Sequence, residues 1–293
     1  LLGQSPAYFS TRSTGNLVSR VVNDVQLINE ALAERFGDLV QDTLTVFFLS
    51  LYLLSLDLRL TLATLVVAPA LGLVTTVCAT FAVAVRFFVS SRTASRLAAV
   101  PWARAMAWIT PMRVRVEGRE NLDPNQSYVL VSNHQSQYDI FALYGWLGVD
   151  FKWVMKKELR TVPGIGVACD RLGHIFIDRS NHAAAIATLE MAKARIVDGT
   201  SVIFFPEGTR SRDGQLKRFK KGAFRMAVDL GLPILPLTVT GTRNVLPAGT
   251  SDLLPGSATL IIHPPISVDG CGSDDCARLM EETRAVIASG LPQ

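Results

Sequence analysis

The stretch that most limits what this chain can fold into is residues 60–85, which contain no charged side chain. A helix of that length and composition can cross the hydrocarbon core of a bilayer. A second uncharged stretch, residues 44–56, precedes it, and only Asp57, Leu58 and Arg59 separate the two. The pattern predicts an α-helical transmembrane hairpin. The alternative is a hairpin of buried helices in a soluble domain.

Basic side chains flank both ends of the predicted hairpin. Those that precede it are Arg12, Arg20 and Arg35, and those that follow it are Arg86, Arg92 and Arg96. Because lysine and arginine are enriched on the cytoplasmic side of membrane proteins, both ends of the hairpin are expected in the cytoplasm. The sequence therefore predicts a membrane protein whose remaining domain lies on the cytoplasmic face.

The N-terminal segment also contains a distinctive polar motif. Residues 13–25 read STGNLVSRVVNDV, and the two apolar stretches follow with Leu58-Arg59-Leu60-Thr61-Leu62 between them. From about residue 5 to residue 75 the chain resembles part of the transmembrane domain of ABC exporters. In that family an intracellular loop with its coupling helix precedes two spans, so the resemblance implies a helical membrane segment.

An exporter also needs a glycine-rich phosphate loop of the form G-x-x-x-x-G-K-[ST], whose backbone amides hold the phosphates of ATP. No such loop occurs in the sequence. Transport is therefore not a function that this chain can perform alone. We interpret the segment as a membrane anchor, or as the product of a gene fusion or a mis-joined reading frame. The alternative for the whole chain is a non-catalytic membrane subunit of an exporter.

A short junction connects this segment to the rest of the chain. Within it, Val100–Ile109 interleaves tryptophan and methionine side chains with Arg104. Tryptophan is favoured at the membrane interface, so the pattern predicts a helix that lies flat on the bilayer, with a plain linker helix as the alternative. The predicted domains are an exporter-like membrane segment over residues 1–90, an interfacial linker helix over 91–111 and a third domain over 112–293.

Strand and helix patterns alternate from Met112 onward. Between Met112 and Glu117, apolar and charged residues alternate with the period of a half-buried strand. Ser180 or Asn181 is predicted to cap a helix that runs to about Val197. Further strands are predicted at 127–131, 151–155, 175–177, 202–205, 234–239 and 259–262, and further helices at 221–230 and 274–289. Strands interleaved with helices of this length indicate an α/β layered domain.

His134 comes shortly after the predicted strand 127–131, and Asp139 lies one turn further along the chain. A histidine at the end of a strand is held rigidly and is still exposed, and a carboxylate at this spacing can return to its ring. The carboxylate fixes the tautomer of the imidazole and stabilises the imidazolium that forms when a proton is taken. The pair therefore predicts a general base that accepts a proton from a hydroxyl group.

Two more charged side chains come at the ends of predicted strands. Arg179 follows the strand 175–177, and Glu207 follows the strand 202–205. The carboxyl ends of parallel strands meet at one edge of a sheet, and ligand sites in α/β domains favour that edge. We therefore expect these side chains to share one site with His134.

Four sequence blocks occur in the second half of the chain. They are NHQSQYD at residues 133–139, GHIFIDR at 173–179, FPEGTRS at 205–211 and LPILP at 232–236. On these blocks, residues 112–266 closely resemble the glycerolipid acyltransferase family, which makes phosphatidic acid. The resemblance implies an α/β domain with a mixed sheet flanked by helices. It also implies transfer of a fatty acyl group to 1-acylglycerol 3-phosphate from acyl-CoA or acyl carrier protein as co-substrate, without a cofactor.

The resemblance also implies roles for the polar residues of the blocks. His134 takes the proton of the acceptor hydroxyl as that oxygen attacks the thioester carbonyl, and Asp139 orients the imidazole. The acyl group is expected to transfer directly, without an acyl-serine intermediate. Glu207 and Gly208 are implied to bind the acceptor, and the glycine lets the backbone approach it closely.

The phosphate of lysophosphatidic acid requires positive charge in the site. Arg179 and Arg210 are the candidates, because the planar guanidinium fork matches phosphate oxygens. Lys156 and Lys220 are expected to add point charge, and Thr209 completes the predicted substrate-binding set. The acceptor itself stays open between lysophosphatidic acid, glycerol 3-phosphate and another lysophospholipid.

The remaining composition argues against other partners. The four cysteines form no C-x-x-C pair, and the histidines other than His134 have no ligand-like spacing, so no metal site is predicted. A net charge of +4 attracts anionic lipid headgroups slightly and is too diffuse to indicate nucleic acid. The expected partners are the two substrates and membrane lipids.

Overall fold

The computed structural model describes residues 14–56, 63–178, 180–250 and 252–292 of the 293-residue chain. The chain divides into two compact units, Leu1–Leu65 and Val66–Gln293. The predicted turn between the two apolar stretches and the predicted site residue Arg179 lie outside the described residues.

The described helix of the first unit is α1 (Thr14–Leu56), which includes the first uncharged stretch. Its large apolar side chains are mostly exposed, and Phe48, for example, is 62% exposed. The hydroxyl groups of Thr43, Thr45 and Ser50 donate to carbonyl oxygens one turn earlier in the same helix. These hydroxyl groups need no partner from water, as is required of a helix in lipid.

The second unit begins with α2 (Ala68–Val85), which follows a π-helical turn at Ala63–Val67. By length and composition, one helix in the described part of the chain could cross a membrane, and it spans Leu65–Val85. Both arms of the predicted hairpin are therefore helical, and the second arm meets the criterion for a membrane span.

One face of α2 packs against the rest of the second unit. Leu71 and Val74 contact its hydrophobic core, and Ala82 is buried. The indole N–H of Trp102 donates to the hydroxyl of Thr75 at 3.1 Å. The opposite face carries exposed apolar side chains, Leu73, Val77 and Phe81. The helix therefore contributes to the core with one face and presents an apolar surface with the other.

The predicted linker folds as part of the same unit. It contains α3 (Ser91–Ala94), a π-helical turn (Ser95–Ala99) and α4 (Val100–Ile109). The small side chains of Ala103 and Ala107 are fully buried, whereas Trp108 on the other side of α4 is 82% exposed. The helix predicted at this position is present. Protein covers one of its faces, because the small residues let it approach its neighbours closely.

In the described part of the chain, the strands of the second unit form one seven-stranded sheet of order β1-β7-β6-β2-β5-β3-β4. The strands are β1 (Met112–Glu117), β2 (Val129–Ser132), β3 (Asp150–Lys156), β4 (Ile175–Ile177), β5 (Thr200–Phe204), β6 (Ile234–Thr240) and β7 (Gly256–Ile262). Strands β6, β2, β5, β3 and β4 are parallel, and β7 with β1 runs in the opposite direction. The predicted mixed sheet is thus confirmed.

Helices cover both faces of the sheet. They are α5 (Tyr138–Trp146), α6 (Ile165–Arg171), α7 (His182–Lys193), α8 (Gly222–Leu230), α9 (Thr242–Val245) and α10 (Cys276–Ser289). On β2, Leu130 belongs to the core beneath α4 and α5, whereas Val129 and Val131 belong to the core beneath α8 and α10. Successive strand residues point to opposite faces, so a central strand buried on both sides is apolar throughout.

Helix α7 is capped as predicted but is shorter than predicted. The side chain of Asn181 accepts a hydrogen bond from the N–H of Ala184 at 3.0 Å. Beyond Lys193 the N–H groups of Arg195 and Ile196 donate to carbonyl oxygens three residues earlier. This tighter turn ends the α-helix before the predicted end near residue 197 and brings Ile196 into the core, where it is 2% exposed.

The sheet determines where the candidate site lies. Lys156 is the last residue of β3, His134 follows β2 closely and Glu207 follows β5 closely. These three strands are parallel neighbours near the middle of the sheet. Their carboxyl ends therefore meet at one edge, which is the preferred position for a ligand site in an α/β sheet.

Gly241, which joins β6 to α9, has a φ of +81°, and a Cβ added to it would lie 2.1 Å from the carbonyl oxygen of Ser257. We expect Gly241→Ala to lower the free energy of unfolding by about 2–4 kcal/mol, because it adds a backbone collision to left-handed strain. Gly270→Ala is the control, since Gly270 has a φ of +70° and no atom within 4 Å of its added Cβ. Equal losses of stability in denaturant unfolding of the two variants would contradict the collision.

Candidate active site

Asp139 lies in the first turn of α5 and is completely buried. Its Oδ2 accepts a hydrogen bond from Nδ1 of His134 at 2.8 Å. The same oxygen accepts from the backbone N–H groups of Gln135 and Ser136 at 2.7 and 2.9 Å. The other oxygen, Oδ1, accepts from the hydroxyl of Thr242. The spacing of His134 and Asp139 predicted a turn that brings the carboxylate back to the imidazole. The structure contains this turn, and the carboxylate of Asp139 closes it.

The hydrogen bond to Asp139 determines which nitrogen of His134 is available. A carboxylate oxygen only accepts, so Nδ1 carries the proton and the lone pair of the neutral ring is on Nε2. No hydrogen bond to Nε2 is found in the described part of the chain. The His134 side chain is 16% exposed, so a bound hydroxyl group can reach it. This arrangement suits a general base.

Phe205 fixes the plane of the imidazole. Its ring stacks on that of His134, with 3.9 Å between the ring centroids and 10° between the planes. The ring of Trp153 packs in turn against Phe205 at 5.5 Å between centroids. The sequence indicated Phe205 as an apolar residue at the end of a strand and as the first residue of the block FPEGTRS, but not its contact with His134, because a stacking contact across two strands leaves no local pattern.

Glu207 connects two loops of the site through its carboxylate. Its Oε1 accepts from the backbone N–H of His134 at 2.8 Å, and its Oε2 accepts from that of Lys217 at 3.0 Å. Burial raises the pKa of Glu207, and the two N–H groups act in the opposite direction. The carboxylate therefore holds the backbone of the general base in place. A direct contact of Glu207 with the acceptor stays a prediction.

The loop that follows Glu207 is attached to the histidine loop. The N–H of Ser211 donates to the carbonyl oxygen of His134 at 2.8 Å. Gly208 has a φ of +74°, and a Cβ added to it would lie 2.9 Å from Nζ of Lys220. A glycine at this position therefore lets the ammonium of Lys220 lie against the backbone next to Glu207.

The predicted cations lie at the same edge of the sheet, as far as they are described. Arg210 is half-buried, and Lys156 and Lys220 are exposed. Within the described ranges, the side chains of these three residues form no ion pair or hydrogen bond. Thr209 is exposed, and its hydroxyl accepts from Nζ of Lys217 at 3.2 Å. The site thus combines an accessible base with positive charge that is available to an anionic substrate.

Two polar residues to which the sequence assigned no role complete the site. Thr242 is fully buried and binds Asp139, although it follows β6, about a hundred residues later in the chain. The side-chain amide of Asn133 donates to the carbonyl oxygen of Val239 at 2.9 Å and accepts from its N–H at 2.7 Å. Both contacts attach the histidine loop to β6. Asn133 belongs to the first sequence block, whereas Thr242 lies outside all four.

Comparison with protein families gives two matches along the chain. Residues 113–240 match the family described as Acyltransferase, and residues 1–85 match the family described as ABC transporter transmembrane region. Residues 113–240, which contain most of the sheet and the candidate site, are therefore similar to acyltransferase domains.

Individual relatives and a solved structure agree with this class. The chain is 36% identical over 182 residues to a 1-acyl-sn-glycerol-3-phosphate acyltransferase of Chlamydomonas reinhardtii, which covers 61% of this chain and 53% of the relative. It is 33% identical over 174 residues to 1-acyl-sn-glycerol-3-phosphate acyltransferase alpha of Homo sapiens, over 59% of this chain and 62% of the relative. The chain thus spans about half to two thirds of the length of these relatives.

The fold is similar to a crystal structure from Thermotoga maritima. That structure is PlsC, a 1-acyl-sn-glycerophosphate (LPA) acyltransferase, and it matches with a TM-score of 0.63 at 29% sequence identity. The similarity covers 75% of this chain and 93% of that chain. It supports the α/β fold with a mixed sheet flanked by helices.

The contact between Thr242 and Asp139 can be tested with an isosteric change. We expect Thr242→Val to reduce kcat about tenfold to a hundredfold. In this variant Oδ1 of the buried Asp139 has lost its hydrogen-bond donor, so the carboxylate no longer holds the ring of His134 in a fixed orientation. Thr242→Ser keeps the hydroxyl and should retain kcat within a few fold. Steady-state rates of both variants check this, and equal losses of kcat would show that the methyl packing matters instead of the hydrogen bond.

The raised pKa of Glu207 makes stability depend on pH. Between the ordinary carboxyl pKa and the raised native pKa, the unfolded chain has lost the proton and the native protein keeps it. The free energy of unfolding therefore falls as pH rises through this window. We expect Glu207→Gln to flatten this slope in urea unfolding at pH values above the ordinary carboxyl pKa of about 4. The exposed control Glu281→Gln should keep the slope, and a wild-type slope in Glu207→Gln would contradict the assignment.

Proposed function

We propose that this protein transfers a fatty acyl group from a thioester donor to the free hydroxyl of 1-acylglycerol 3-phosphate. The observation that carries the proposal is the bond between Asp139 and Nδ1 of His134, which leaves Nε2 accessible as a base. The cations of the same edge, which have no ion-pair partner among the described residues, support an anionic acceptor. The similarity to two 1-acyl-sn-glycerol-3-phosphate acyltransferases supports this substrate.

The reaction follows from the orientation of the imidazole. Nε2 of His134 takes the proton of the acceptor hydroxyl as its oxygen forms a bond to the thioester carbonyl carbon. Asp139 stabilises the imidazolium that results. The tetrahedral intermediate then expels the thiolate as the carbon–sulfur bond breaks, and the imidazolium returns its proton to the sulfur. The products are phosphatidic acid and the free thiol of the donor, and the base is regenerated.

The acceptor phosphate binds among the cations next to His134. A phosphate monoester carries about −1.5 to −2 charges near neutral pH. Arg210 and Lys220 supply charge from the loop that follows β5, and Lys156 supplies it from the end of β3. We include Arg179 among the proposed phosphate-binding residues because it is the last residue of the block GHIFIDR. Thr209 and Gly208 complete the proposed contacts of the loop, and Glu207 supports them by holding the backbone of His134 and Lys217.

The other proposed properties concern the donor and the membrane. The donor is acyl-CoA or acyl carrier protein, used as a co-substrate without a further cofactor. The exposed apolar face of α2 lies in lipid, and we propose that residues 1–90 anchor the protein. The basic side chains around the apolar stretches support a catalytic domain on the cytoplasmic face.

The activity can be tested by thiol release. We expect the purified full chain in detergent to release thiol from acyl-CoA or acyl carrier protein only when lysophosphatidic acid is present. His134→Ala should reduce the rate by about 10² to 10⁴, the usual range for loss of a general base. His263→Gln, which changes a histidine outside the site, should keep the wild-type rate.

Three results would contradict the proposal. The first is thiol release that does not require an acceptor. The second is an undiminished rate in His134→Ala. The third is a clear preference for glycerol 3-phosphate or another lysophospholipid over lysophosphatidic acid, which would replace the acceptor and keep the reaction.

A further inference from the structure

The loop that follows β5 has an unusual concentration of positive charge. Six of the twelve residues from 210 to 221 are basic, and only Asp213 is acidic. The six are Arg210, Arg212, Lys217, Arg218, Lys220 and Lys221. The loop begins at the end of a sequence block of the proposed site, so its charge acts close to His134.

This charge is not neutralised within the described residues. Asp213 uses its carboxylate to accept from the hydroxyl of Ser211 at 2.8 Å and from the N–H of Gln215 at 3.0 Å. Nζ of Lys217 donates to uncharged oxygens of Thr209 and Arg210. The side chains of Arg212, Arg218 and Lys221 are exposed, and none of them forms an ion pair or hydrogen bond with the part of the chain that is described.

Several basic residues elsewhere on the second unit have acidic partners. Lys193 pairs with Glu190 and Asp229 at 2.6 and 3.0 Å. Arg278 pairs with Asp275 and Glu282, each at 3.3 Å. The loop differs from these positions because several exposed cations without an acidic partner among the described residues follow one another within twelve residues. Like charges held close together repel unless an anion lies between them.

The backbone of the loop is fixed next to the catalytic histidine. The N–H of Ser211 binds the carbonyl oxygen of His134, and the N–H of Lys217 binds Glu207. The ring of Phe219 is 4% exposed and anchors the end of the loop in the core. The N–H of Gly214 donates to the hydroxyl of Ser211 at 3.1 Å and closes a tight turn. The exposed cationic side chains are thus attached to a backbone that is held in place by hydrogen bonds and by the buried ring of Phe219.

The acceptor needs only part of this charge. Its single phosphate carries at most about two negative charges, which Arg210 and Lys220 can balance. We propose that Arg212, Arg218 and Lys221 bind the phosphate groups of the nucleotide portion of acyl-CoA. This inference rests on the proposed function and identifies the donor of that reaction.

The geometry favours a nucleotide carrier over an acidic carrier protein. The cations come from one short loop with a closed turn, so their charge is concentrated in a small area. A coenzyme A molecule concentrates three phosphate groups in one nucleotide, and the planar fork of arginine matches phosphate oxygens. The carboxylates of a carrier protein are spread over a wider surface and would need cations from several elements.

The first test measures binding of free coenzyme A to the full chain in detergent, without an acceptor, by titration calorimetry. We expect Arg218→Gln combined with Lys221→Gln to raise the Kd about tenfold at low salt, since each exposed charge contributes a few fold. The control combines Arg113→Gln with Arg115→Gln, which remove the same charge from β1 and should leave the Kd unchanged. At about 0.5 M salt, most of the difference in Kd between the two double variants should disappear, because salt screens exposed charges.

The second test measures KM values in the acyl transfer reaction. In the double variant Arg218→Gln with Lys221→Gln, we expect the KM for acyl-CoA to be about tenfold higher than in the wild type. The values of kcat and of the KM for lysophosphatidic acid should be nearly unchanged. The KM for an acyl-N-acetylcysteamine thioester, which has no phosphate, should be equal in the variant and the wild type.

Four results would overturn the inference. They are an unchanged Kd for coenzyme A, an increase in the KM for lysophosphatidic acid instead of acyl-CoA, an equal loss with the phosphate-free thioester, and an effect confined to acyl carrier protein. Failure of the proposed function is distinguishable, because it would abolish acceptor-dependent turnover in the wild type with every donor while leaving the binding measurement intact.

Discussion

Asp139 is a carboxylate in the protein interior, and the chain must supply donors to both of its oxygens. An unpaired buried charge is very unfavourable, so a fold that buries one has to bring hydrogen-bond donors to it. Here the donors come from the loop after β2 and from Thr242 after β6. The same two segments are joined a second time by the amide of Asn133 on the backbone of Val239. The hydrogen bonds that this one carboxylate requires therefore hold together the edge of the sheet that contains the candidate site.

The two signs of charge are separated in the site. The carboxylates of Asp139 and Glu207 are buried and face the histidine loop, whereas the arginine and lysine side chains of the following loop are largely exposed and face solvent. His134 lies between them. In the proposed reaction, the imidazolium is stabilised from the protein side and the anionic substrate from the solvent side, so the two effects do not compete for the same groups.

Contacts that are local in sequence could be predicted, and contacts across the sheet could not. The pairing of His134 with Asp139 requires only one turn of chain, and the strands show the apolar pattern of their buried faces. The binding of Thr242 to Asp139 requires β6 to lie next to β2, and the stack of Phe205 on His134 requires β5 on the other side. Strand order is a property of the whole sheet, and no short segment specifies it. The surroundings of the helices before residue 112 could not be predicted either, because an apolar side chain can be buried equally well in protein or in lipid.

The packing of α2 separates the boundary of a sequence family from the boundary of a folded unit. The match to the ABC transporter transmembrane region extends to residue 85, yet the compact unit that contains the seven-stranded sheet begins at Val66. Residues 66–85 thus belong to one lineage by similarity and to the other half of the molecule by structure. Removing residues 1–85 at that family boundary would delete Ala82 and uncover the core against which α2 packs. If two genes were joined here, a helix that one of them contributed has become part of the hydrophobic core of the domain encoded by the other.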